Sequence, residues 1–139
     1  MAEIKISDLS IGDWVRYDRS TDAVQIMGIY VRNNQECVVM SDSYYPDGVI
    51  GFVDMLKPIP LTAEILEKNG FRKNGEYNEW NIGEWNERPF IGISLGRQSM
   101  RVKHLGSDIF IENKVVYVHQ LQNALRLAGV EKEIEVWKI

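Results

Sequence analysis

Apolar residues recur at every second position, in short runs, through the first sixty residues. "DWVRY" (13–17) sets Val15 and Tyr17 against Trp14 and Arg16, and "AVQIMGIYV" (23–31), "ECVVMSD" (36–42) and "GVIGFVDML" (48–56) are further β-favouring runs. Turn chemistry separates them. "RSTD" (19–22) joins the first pair. "RNNQ" (32–35) joins the second through two asparagines, which tolerate positive φ. In "YPDG" (45–48) Pro46 presets the second turn position and Gly48 takes the left-handed geometry that follows.

Four or five short antiparallel strands bury little as a flat sheet, so the pattern predicts a small barrel over residues 1–60. "GDWV" (12–15) resembles the opening strand of SH3-like barrels, a fold that hosts unrelated functions. Pro58 and Pro60 then stop the β pattern. "KPIPLTAEILEKNGF" (57–71) predicts a short connecting helix. Thr62 is its N-cap, Leu61 and Leu66 form a hydrophobic staple, and Gly70 with Phe71 makes a Schellman-type stop.

The second part, 61–139, reads as an α+β domain. "EYNEWNI", "PFIGISL", "MRVKHL" and "DIFIEN" are strands between 76 and 113, with turns at Gly96, Gly106 and Asn113. In "YVHQLQNALRLAG" (117–129) the period changes to that of a helix over 117–128. Tyr117, Val118, Leu121, Ala124, Leu125 and Ala128 share one side, while His119, Gln122, Asn123 and Arg126 share the other. The helix is expected to cover the antiparallel sheet and keep its polar stripe in water. The tail "EKEIEVWKI" sets Ile134 and Val136 against Glu133, Glu135 and Trp137, and reads as a last strand with one wet face.

Composition narrows the functions. With 139 residues, 45% of them hydrophobic and 26% charged, the chain can bury a core. A net charge of −4 speaks against a protein that mainly neutralises phosphate. Two short basic groups, Lys68, Arg72 and Lys73, and Arg97, Arg101 and Lys103, leave nucleic acid as a partner that is not favoured. Cys37 is the only cysteine and reads as a buried structural thiol. The first residues lack the basic start and apolar core of a signal peptide, and no apolar run has the ~20 residues of a membrane helix, so the expected location is the cytoplasm, away from membranes.

Catalytic chemistry is sparse. His119 has Val115 and Asn123 at the positions one helical turn away, so neither an orienting carboxylate nor a second metal ligand stands at helical spacing. The sequence holds no phosphate-binding glycine loop and no nucleophile elbow. Neither a cofactor nor a metal is expected. Binding candidates are the polar stripe His119, Gln122, Asn123 and Arg126, together with Trp80 and Trp85. The two tryptophans belong to a segment that packs Tyr77, Trp80, Trp85 and Phe90 among acids and amides. Exposed, such rings stack on sugars or bases; buried, they fill the core of a small β-layer, which is the reading preferred here.

Three stretches, "DLSIGDWV" (8–15), "PIPLTAEILEKNGF" (58–71) and "YVHQLQNALRLAGVEKEI" (117–134), together resemble a family of small uncharacterised proteins encoded in phages and mobile elements of gut anaerobic bacteria. The resemblance implies a setting and an accessory role, and transfers no site residue. The expectation is a non-enzymatic binding or adaptor module whose partner is a protein. Its rivals are a nucleic-acid-associated accessory protein, a small hydrolase or transferase using His119, and a phage assembly component that forms a homo-oligomer.

Overall fold

The computed structural model describes residues 4–20, 22–42, 44–74, 78–112 and 116–136. It is a mixed α+β protein with two antiparallel five-stranded sheets and one main helix. The chain divides into two compact units, Met1–Ile59 with Val136–Ile139, and Pro60–Glu135.

In the first unit β1 (Trp14–Tyr17), β2 (Ala23–Arg32), β3 (Gln35–Ser41), β4 (Val49–Phe52) and β5 (Leu56–Lys57) form a sheet in the order β4-β3-β2-β1-β5. The β2–β3 hairpin closes through Asn33 and Asn34, both at positive φ, with Arg32 opposite Gln35. This is the two-residue turn whose twist matches its strands. Tyr45 O accepts from Gly48 N at 3.1 Å in the "YPDG" turn, and Gly48 has φ +111°. A 3-10 turn, Val53–Met55, interrupts "GVIGFVDML" and separates β4 from β5.

No ladder joins β4 to β5 among the described residues. A side chain does span β1 to β4: the Tyr17 hydroxyl accepts from Phe52 N at 3.2 Å. Its ring leaves no room at Gly51, where a Cβ would stand 2.6 Å from the ring and 2.5 Å from the Met40 methyl. Val15, Val24, Ile26, Val38, Met40 and Leu56 make up most of the core of this unit. Cys37 is buried, and its thiol reaches Gln35 O at 3.6 Å.

The second unit opens with α1 (Ala63–Lys68). Thr62 Oγ1 accepts from Ile65 N at 3.3 Å, and Phe71 N donates to Leu66 O at 3.0 Å beyond Gly70 at φ +86°. Strands β6 (Arg72–Asn74), β7 (Glu79–Ile82), β8 (Phe90–Ser94), β9 (Ser99–His104) and β10 (Ser107–Glu112) follow in sequence order across the sheet. Helix α2 (Val118–Leu127) meets β9 and ends as α1 does, with Gly129 at φ +78° and Val130 N donating to Leu125 O.

Among the described residues one expected element does not form. Residues 131–136 have the burial alternation of a strand, Ile134 and Val136 inside and Glu133 and Glu135 outside, yet they pair with no strand. Tyr77, Asn113, Val115 and Trp137 lie outside the described residues. Among the described residues no helix is long and apolar enough to cross a membrane.

Candidate functional site

The polar stripe of α2 is not an open face. His119 and Gln122 are 5% and 2% exposed, as buried as the leucines behind them. The expected wet stripe is covered because the chain after Gly129 returns along the helix, and Gln122 holds it. Gln122 Nε2 donates to Lys132 O at 3.0 Å, and Gln122 Oε1 accepts from Ile134 N at 2.7 Å. Asn69, beyond the end of α1, grips the next residue in the same manner, donating to Glu135 O at 2.9 Å and accepting from Glu135 N at 2.8 Å.

Two side-chain amides thus replace the strand partner that the tail lacks, which meets the requirement that buried backbone groups be bonded. Asn123 and Arg126 are half-buried and bonded to each other at 3.1 Å, and Arg126 reaches Glu133 at 3.8 Å. The His119 ring lies 6.0 Å from that of Tyr117, nearly parallel to it. A base so enclosed cannot meet a substrate without local opening.

The two tryptophans part company. Trp80 is 7% exposed, in a cross-strand row with Ile93, Met100 and Ile111, and its indole N–H donates to Asn78 Oδ1 at 3.3 Å. Trp85 is 55% exposed, which corrects the expectation that both fill the core. The reason is local. The seven residues Gly83–Pro89 between β7 and β8 bond among themselves. Glu84 N donates to Glu87 Oε1, Glu87 N to Glu84 O, and the Arg88 guanidinium to the carbonyls of Trp85 and Glu87. Gly83 has φ +76°, and a Cβ there would stand 2.6 Å from Pro89 O, so the loop turns as tightly as a glycine allows. These bonds brace the loop, which presents Trp85 outward.

The sheet face opposite the Trp80 row carries Arg72, Asn81, Gly92, Arg101 and Phe110 in one cross-strand line, with Phe90, Lys103 and Asp108 in the next. Arg101 and Asp108 form a two-pronged pair, both contacts at 2.9 Å. That bond, more than simple attraction, holds Asp108 below the usual carboxylate range and raises Arg101. So fixed, the Arg101 guanidinium lies 5.2 Å from the centre of the Trp85 ring and 5.5 Å from that of Phe110. Lys103 Nζ lies 3.9 Å from the Trp85 ring centre, and Phe90 meets the same indole edge-on at 5.2 Å. The stack lines one side of a depression of about 230 Å³, which Glu79, Asn81, Gly92, Ser94 and Arg97 also line.

This face joins two features that lie apart in the sequence, the aromatic segment and the Arg97–Lys103 basic group. Phe110, 54% exposed, was not singled out from the sequence. The alternation in "DIFIE" carries the signal, since it sets Phe110 with Asp108 and against Ile109 and Ile111. Among the described residues no group of His, Cys, Asp and Glu is arranged to hold a metal ion. No family model, no curated protein and no solved structure matches the chain.

Proposed function

We propose that the protein is a non-enzymatic binding module, and that its binding surface is the outer face of the second sheet. One observation carries this reading: Trp85 and Phe110, each more than half exposed, are held apart by an arginine that Asp108 locks in place. Large apolar rings clustered in water beside a strand framework are the usual anchors of recognition. The α2 stripe has no part in it, because Gln122 is spent on the tail.

The first unit is read here as an SH3-like module. In support stand the strand order β4-β3-β2-β1-β5, the 3-10 turn between β4 and β5, and the Tyr17 hydroxyl bonded to Phe52. The setting remains the one the family resemblance implies, a phage or mobile element acting in a bacterial cytoplasm.

The test is a titration of isotope-labelled protein with fractionated extract of an anaerobic gut bacterium, followed by NMR. Shifts confined to the Trp85 indole and to the amides of Arg101 and Phe110 are expected. Shifts confined to α2 or to the first sheet would overturn the assignment.

A further inference from the structure

The geometry points to a neutral saccharide as the ligand of this face, an inference that rests on the binding-surface reading above. A sugar ring has an apolar C–H face and a rim of hydroxyls that both donate and accept. It needs an exposed aromatic ring beside planar polar groups, and no net charge. The outer face offers that set. Trp85 and Phe110 are the rings. Asn81, Glu79 and Arg97 are the planar groups that line the same depression. The Asn81 amide is already oriented, since its Nδ2 donates to Gly83 O at 3.0 Å.

Charge decides between a sugar and a nucleic-acid strand, the other polymer that stacks on such rings. A strand requires cations free to meet phosphates. Arg101 is committed to Asp108 in both prongs, and Lys103 stands directly across from Asp108 in the β9–β10 ladder. Glu79 and Glu112 occupy the two ends of the line that also contains Ser94 and Ser99. Counted with the edge strand and the 83–89 loop, the face sets Glu79, Glu84, Glu87, Asp108 and Glu112 against Arg72, Arg88, Arg97, Arg101 and Lys103, in a chain whose net charge is −4. Balanced charge suits a neutral ligand and penalises a phosphate backbone. The depression, about 230 Å³, lies below the ~300–1,000 Å³ range of sites that enclose drug-sized molecules. It matches a ring or two of a longer chain lying across the surface.

The experiment titrates the full labelled chain with neutral hexasaccharides of glucose, mannose, galactose and N-acetylglucosamine. Each is taken to about 10 mM, where even a millimolar site is mostly filled. At least one should give saturable shifts at the Trp85 indole and the Arg101 and Phe110 amides, with an affinity unchanged between about 50 and 500 mM salt. Trp85→Ala should abolish them while the rest of the spectrum stays folded, and Asn81→Ala should weaken binding roughly tenfold.

A parallel titration uses a dodecamer of deoxythymidine. Binding of that strand to the same residues, falling steeply with salt, overturns the saccharide and keeps the binding face. Silence from every sugar also overturns the saccharide, with the extract titration then judging the face by itself. Sugar shifts located on the first sheet overturn both.

Discussion

Gln122 and Trp85 exchange the places their chemistry suggests. The amide, on the polar side of an amphipathic helix, is 2% exposed, and the indole, one of the large aromatic side chains of its segment, is 55% exposed. Burial here follows bonding partners more than hydropathy. Gln122 loses water and regains both hydrogen bonds from the tail, so its desolvation is offset. Trp85 sits in a loop braced by its own hydrogen bonds, and its ring packs instead against Phe90, Arg101 and Lys103 on the outer side. A polar group with two fixed partners belongs to the core, and an apolar ring whose partners lie on the outer side belongs to the surface.

The contrast is broken most directly at the tryptophans. Trp80→Ala removes a buried ring and should cost about 3–5 kcal/mol in a urea unfolding curve. Trp85→Ala, which loses only the surface contacts with Phe90, Arg101 and Lys103, should cost about 1 kcal/mol. Equal losses would refute the division between them. Next comes Gln122→Leu, which keeps the volume but orphans Lys132 O and Ile134 N, at about 2–3 kcal/mol by the same measurement. A cost near zero would mean that the tail is held by its apolar side chains alone.

Asn69→Ala should cost about 1–2 kcal/mol, and in combination with Gln122→Leu the two should depart from additivity because they hold one segment. The smallest effect is expected at Asp108. Its folded carboxyl titrates below the ordinary aspartate range, so the pair's contribution is complete above that range and is lost as pH falls through the lowered value. Asp108→Asn should therefore barely move the melting temperature at neutral pH, the pair being exposed, while loosening the Arg101 side chain as read by its Nε resonance.

Much of this fold was legible wherever the deciding interaction is local. Thr62 bonds three residues ahead, Gly70 and Gly129 stop helices within one turn, and Asn33 and Asn34 close a hairpin between adjacent residues. The signals for these lie within a few letters of the outcome. The tail was not legible, because Asn69 and Glu135 stand 66 positions apart and neither residue type specifies a distant backbone as its partner. The candidate face was half legible. Its aromatic and basic segments were each visible, but their meeting depends on the register of β8, β9 and β10, which sets Phe90 across from Lys103 and Arg101 across from Phe110.

The paired amides of Gln122 and Asn69 have a kinetic meaning as well. Ile134 and Glu135 lie in irregular backbone, where amide protons ordinarily trade with solvent within seconds to minutes. Theirs are bonded to side chains anchored on α2 and beside α1, so each must wait for an opening of the helical layer before it exchanges. In deuterium these two residues should retain their protons alongside those of the helices, and a protease seeking an exposed C-terminal stretch should find 132–135 as refractory as a paired strand.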